Sequence, residues 1–145
     1  LTASIENSED GKETAIKYLD NYKISNKDIV IGLAASGNTP FTCQLLSEAT
    51  ARNALTIALT NNPHGDVIKH SNHHIILDTG QEVITGSTRL KAGTSQKICL
   101  NIISSILMTK LGFVKDGLMI NLVPANEKLR KRKMIIKNYF KNKKK

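Results

Sequence analysis

The sequence predicts an α/β fold in three layers around a parallel sheet. Three observations carry that reading. Short, almost wholly apolar runs at residues 29–34, 55–59 and 74–77 are too brief for helices. Segments with helical spacing alternate with them, which is the pattern of a doubly wound parallel sheet. Polar, glycine-containing loops follow the runs, at residues 35–39 and 80–94. In such sheets ligands bind outside the carboxyl ends of the strands, so both loops are expected on one edge.

The elements follow in order. Residues 11–22 place Ala15, Ile16 and Leu19 at helical spacing. Residues 29–34 (IVIGLA) read as a strand covered on both faces. Pro40 suits a first helical position, and that helix is expected to run to about Arg52. A second buried strand spans 55–59, then a polar loop spans 60–65, and 74–77 form a third strand. From about Thr88 to Leu111, Ile98, Ile102, Ser105, Ile106 and Thr109 recur at helical spacing, with a stop near Gly112. A final helix is expected from near Ala125 toward Phe140. Residues 1–127 are expected to form the globular domain and residues 128–145 a basic helix end and tail.

Charge is unevenly placed. The formal net charge is +9, yet residues 128–145 hold ten of the 21 Lys and Arg and none of the 12 acids. The remainder is close to neutral. A basic tail can attract phosphate or anionic lipid without specificity, or be a solvated end. With 4% aromatic residues in addition, no specific nucleic-acid partner is expected. No apolar run of about 18 residues occurs, so neither a spanning helix nor a membrane partner is expected. Cys43 and Cys99 lie in apolar segments without metal-ligand spacing, which predicts reduced, buried thiols and a cytoplasmic setting. His64, His70, His73 and His74 match no metal motif, and no metal or cofactor is expected.

Two loops carry candidate chemistry. In Ser36, Gly37, Asn38 and Thr39, hydroxyls and backbone N–H groups precede a helix, where the dipole favours an anion such as phosphate. The same residue types also serve as ordinary helix caps. In the second loop, Thr85, Ser87, Thr88 and Thr94 can order the chain or grip a sugar or phosphate. Arg89 and Lys91 can neutralise charge or be surface cations. Glu82 can accept sugar hydroxyls, act as a base, or be a helix-entry carboxylate. Spacing does not separate these readings.

The run EVITGSTRLKAGTSQK, residues 82–97, closely resembles the signature of the N-acetylmuramic acid 6-phosphate etherases and glucokinase regulatory proteins. Both belong to the sugar isomerase (SIS) domain superfamily. IVIGLAASGNTPF (29–41), NNPHGDVIKHSNHHIIL (61–77) and GLMINLVPANEKLR (117–130) resemble further family segments in the same order. The resemblance spans about residues 5–130 and implies a partial SIS-type, flavodoxin-like domain. It implies an etherase that removes the proton alpha to the opened sugar's aldehyde, eliminates D-lactate from C3 and adds water. The product is N-acetylglucosamine 6-phosphate, and no cofactor takes part. Two carboxyls suit such acid–base work. Aligned on IENSED (5–10), Glu9 takes the place of one catalytic glutamate. Read without the resemblance, that stretch is an acidic helix-capping turn. The other glutamate lies upstream in the family, so the chain is expected to begin partway through the domain and to be marginal alone. Substrate-binding roles are implied for Ser36, Gly37, Asn38, Thr39, Glu82, Ser87, Thr88, Arg89 and Lys91. A phosphorylated amino sugar is the implied ligand and a homodimer the implied assembly. Asn38, Gln81, Gly117 and Asn121 depart from the family's usual Arg, Pro, Asn and Asp. These departures leave as the alternative a non-catalytic sugar-phosphate binder or a decayed member.

Overall fold

The computed structural model describes residues 11–143. The elements are α1 (Lys12–Asn21), β1 (Ile29–Leu33), α2 (Pro40–Ala51), β2 (Leu55–Thr60), β3 (His73–Ile76), α3 (Lys91–Lys110), β4 (Val114–Lys115), β5 (Leu118–Met119) and α4 (Glu127–Asn142). A short 3-10 turn, Asp66–His70, lies between β2 and β3. The chain divides into two compact units, Leu1–Ile98 and Cys99–Lys145.

In the first unit β1, β2 and β3 form a parallel sheet in that order. The register pairs Ile29 with Leu55 and Leu33 with Leu59, then Ile57 with His73 and Thr60 with Ile76. β2 is the central strand and the most buried: Thr56, Ala58, Leu59 and Thr60 are each 0% exposed. The buried threonines keep their hydroxyls paired. Thr56 Oγ1 lies 2.8 Å from Thr50 Oγ1 and donates to Asn72 Oδ1 at 2.9 Å. Asn72 N donates back to Thr56 Oγ1 at 2.9 Å. These bonds join α2, β2 and the start of β3, and they remove the cost of burying the hydroxyls.

β1 differs from its expectation. Among the described residues it is an edge strand of this sheet, and it is only partly covered instead of being covered on both faces. Gly32 is buried and Val30 packs against the core, whereas Ile29 is 63% exposed. Helix α2 and the 3-10 turn supply cover: Leu46 of α2 and Val67 of the turn cluster with Ala34 and Ala58, while Leu19 of α1, Ala49 of α2 and Ala54 form a second cluster. Arg52 ties the ends of α1 and α2 together, reaching Asp20 at 2.6 Å and Glu48 at 3.2 Å. The crossover from β2 to β3 uses the 3-10 turn where an α-helix is more usual, because Pro63 and Gly65 leave it no helical run.

The second unit contains the rest of α3, a β4–β5 hairpin and α4. The hairpin turns at Asp116 (φ 51°) and Gly117 (φ 72°), the positive pair that a type I′ turn requires. Asp116 accepts an ion pair from Lys143 at 2.6 Å. α4 is capped by Asn126, whose side chain accepts from Leu129 N at 2.9 Å.

Candidate functional site

The loop after β1 is a rigid turn. Gly37 N donates to Ala34 O at 3.0 Å, and Gly37 takes φ +78°. A Cβ there would lie 2.5 Å from the Gly65 Cα, so two glycines let this loop and the β2–β3 crossover meet backbone to backbone. The crossover holds the loop from outside. Val67 N donates to Gly37 O at 2.9 Å, Asp66 N to Asn38 Oδ1 at 3.0 Å, and Asn62 Nδ2 to Ser36 O at 2.9 Å. Ser36 Oγ accepts weakly from Asn38 N at 3.4 Å. Thr39 sits at the N-cap of α2 but its hydroxyl makes no capping bond, so capping does not account for that residue.

The loop after β3 is organised by Glu82. Its two carboxylate oxygens accept from Lys91 N at 3.0 Å and Ala92 N at 2.9 Å, the first N–H groups of α3. The bond from Ala92 N, with that from Lys91 N and the Lys91 charge, holds the Glu82 carboxyl below its ordinary pKa against the opposing effect of desolvation. Glu82 is therefore ionised at neutral pH and fills the anion position at the α3 N-terminus itself. Each oxygen retains a lone pair for a ligand hydroxyl. Lowering its pKa makes this carboxylate a weaker base than an ordinary glutamate.

A cleft of about 340 Å³ opens between the ends of the strands, lined by Ala35, Asn61, Thr79, Gly80, Gln81, Glu82, Thr85, Gly86, Thr88 and Ala92. That volume fits a small ligand. Among the described residues its walls are hydroxyls, amides, backbone and one carboxylate, without a Lys or Arg. Of the residues singled out from the sequence, Gln81, Glu82, Thr85 and Thr88 line it. Arg89 and Lys91 line a shallow neighbouring surface with Thr79, Leu90, Thr94, Ser95 and Ile98. Asn38 faces a different hollow of about 300 Å³, with Lys12, Pro40, Cys43, Gln44, Ser47, Asp66 and His70. Gly37 is buried against Gly65, and Ser36 is exposed on the same loop as Ala35. Ser87 is half-buried; its N–H donates to Ile84 O and its carbonyl accepts from Leu90 N. Glu9 lies outside the described residues.

Sequence reasoning passed over Asn61 and Thr79. Asn61, just after β2, donates from Nδ2 to Leu77 O at 2.8 Å and Ser95 Oγ at 2.9 Å, with Thr79 Oγ1 at 3.3 Å. Its Oδ1 accepts from Gln96 Nε2 at 3.1 Å, and its N–H donates to Ala35 O at 3.2 Å. The available signal was position: a polar residue at the carboxyl end of the central strand.

The two thiols are half-buried and free, not fully buried as expected. Desolvation, with the charge of Asp66, pushes the Cys43 thiol up, which makes it a poor nucleophile. Among the described residues no three His, Cys, Asp or Glu gather as a metal site.

A family model for the SIS domain matches residues 9–105. The chain is 47% identical over 129 residues to the N-acetylmuramic acid 6-phosphate etherase of Staphylococcus epidermidis, an alignment covering 89% of this chain and 44% of that protein. It is 40% identical over 136 residues to the enzyme of the same name from Klebsiella aerogenes, covering 94% of this chain and 45% of that one. A Bacillus subtilis crystal structure, described as a candidate phosphosugar isomerase, aligns with 47% of this chain and 21% of its own at 30% identity, with a TM-score of 0.42. The chain thus spans less than half the length of the curated relatives it matches. It belongs to the SIS domain family.

Proposed function

We propose that this chain supplies the substrate-gripping part of an N-acetylmuramic acid 6-phosphate etherase. The observation that carries the reading is the 47% identity to an etherase across nearly the whole chain, together with a cleft built by the signature segment itself. The ligand is a phosphorylated amino sugar. Thr85 and Thr88 offer hydroxyls to the sugar, and the spare lone pairs of Glu82 accept its hydroxyl protons. Among the described residues no Lys or Arg lines the cleft, and the phosphate is assigned to hydroxyls and to N–H groups of the loop after β1, where α2 has no side-chain cap. Arg89 and Lys91 act at longer range, raising the local concentration of the anionic substrate.

In the reaction the proton alpha to the opened sugar's aldehyde is removed and D-lactate departs from C3. Water then adds to the unsaturated intermediate. Glu9 is assigned the acid–base role on alignment alone. Glu82, fixed as an ionised helix-start carboxylate, is assigned to binding and not to proton transfer. A second catalytic carboxylate is assigned to the part of the etherase relatives' length that this chain does not span. The working form is a homodimer in the cytoplasm, serving amino-sugar recycling from cell-wall material.

The test is D-lactate release from N-acetylmuramic acid 6-phosphate by a longer chain in which the upstream half of an etherase relative is joined to these residues. Lactate release that is lost on Glu9→Gln, with sugar phosphate still bound, is expected. A folded longer chain that releases none overturns the assignment.

A further inference from the structure

Asn61 is half-buried at the carboxyl end of β2, and its side chain and main chain together bond to three separate pieces of the fold around the cleft. Toward β3 its Nδ2 donates to Leu77 O, directly past the end of the strand, at 2.8 Å. Toward α3 the same Nδ2 meets Ser95 Oγ at 2.9 Å, and Oδ1 accepts from Gln96 Nε2 at 3.1 Å. Ser95 Oγ gives its own proton to Ala92 O at 2.8 Å, so it has only a lone pair to offer Asn61. The main chain of Asn61 holds the third piece, donating to Ala35 O in the loop after β1 at 3.2 Å. Both amide protons and the amide oxygen are thereby committed, which leaves Asn61 unsuited to act as a ligand donor.

The other anchor of α3 is Glu82, which fixes Lys91 N and Ala92 N from outside the sheet. Asn61 fixes the next turn, Ser95 and Gln96, from the sheet. Thr85 and Thr88 line the same cleft as Ala35 of the loop after β1. We propose that Asn61 is a positioning residue: by donating to Leu77 O and Ser95 Oγ it sets α3 against the sheet edge. It thereby fixes the separation of the hydroxyl wall from the loop after β1. The role in ligand binding rests on the etherase reading; the role in holding α3 does not.

The chemistry distinguishes donation from mere space filling. Asn61→Asp keeps the shape but replaces two donors by acceptors, setting a carboxylate oxygen against the Leu77 carbonyl and the Ser95 lone pair. Asn61→Ala removes the donors and leaves a gap. If Asn61 only fills space, the aspartate variant behaves like the parent and the alanine variant does not. If it positions by donation, the aspartate variant is at least as impaired as the alanine variant. Its defect is then relieved on acidification, because the protonated carboxyl regains one donor, whereas the alanine variant gains nothing.

Two readouts on the full chain test this. The first is amide hydrogen exchange at Lys91, Ala92, Ser95 and Gln96, with Leu46 and Ala49 of α2 as internal controls. Both variants should speed exchange at the α3 positions by about tenfold, the loss of one to two net hydrogen bonds, with the controls unchanged. Lowering the pH from 7 to 5 should restore protection, after correction for intrinsic exchange rates, in the aspartate variant alone. The second readout is the affinity for N-acetylglucosamine 6-phosphate, expected to fall about tenfold in both variants. Parent-like exchange in the aspartate variant, or an equal pH response in both, overturns the positioning role. A parent chain that shows the exchange pattern but does not bind the sugar phosphate overturns the etherase reading and leaves the positioning of α3 standing.

Discussion

Leu46, Leu59 and Val67, in the unit ending at Ile98, are 0% exposed, whereas Ile106 and Ile135, in the unit from Cys99, are 53% and 69% exposed. Both units have helices with apolar residues at helical spacing. The difference lies in what those residues meet. In the first unit α2 has a sheet to cover and α1 beside it. In the second, Leu122 and Ile136 are the buried hydrophobic residues among those described, and Ile102 and Ile106 of α3 stay open. Periodicity in a sequence thus reports that a helix has an apolar face, but not that the same chain supplies its cover.

The largest expected effect lies in the first unit. Leu46→Ala empties a site in contact with Ala34, Ala58 and Val67 and should cost about 2–5 kcal/mol in urea unfolding. Gly37→Ala should cost about 2–4 kcal/mol, because the methyl meets the Gly65 backbone and the residue must hold a positive φ. Ile135→Ser, at a side chain 69% exposed, should change stability by less than about 0.5 kcal/mol. A cost at Ile135 approaching that at Leu46 would break the contrast between the units.

Within the first unit, acid should act on the start of α3. The folded-state pKa of Glu82 is depressed, so its stabilisation is present above the ordinary carboxylate range near 4.3 and is lost as pH falls through that range and below it. Amide signals of Lys91 and Ala92 should shift on lowering the pH from 6 to 3, and Glu82→Gln should abolish that response. An unchanged response in the glutamine variant would remove Glu82 from the α3 N-terminus. The smallest effect is expected at Arg89→Gln. With Arg89 outside the cleft, sugar-phosphate affinity should fall only two- to threefold, and the difference should shrink at high salt.

The fold was largely legible. Pro40 marks the first residue of α2 and Gly112 follows the end of α3, because both positions obey local backbone rules. The β4–β5 hairpin was missed although Asp116-Gly117 carries its turn, since two residues per strand leave no alternation to read. The candidate site was legible only as a segment. That Glu82 caps α3, that Arg89 and Lys91 line a different surface, and that Asn61 joins three elements are facts of tertiary contact. No spacing rule separates a hydroxyl on the cleft wall, as at Thr88, from one beside it, as at Ser87.

The proposed function requires that the loops after β1 and β3 together form a single sugar-phosphate site. It is tested most directly by titrating the chain with N-acetylglucosamine 6-phosphate and, separately, with N-acetylglucosamine, following backbone amide signals. Residues 35–39 and 85–88 are expected to respond together, with one dissociation constant, to the phosphorylated sugar and at least tenfold more weakly to the other. A response confined to one loop, or equal for both sugars, would contradict it.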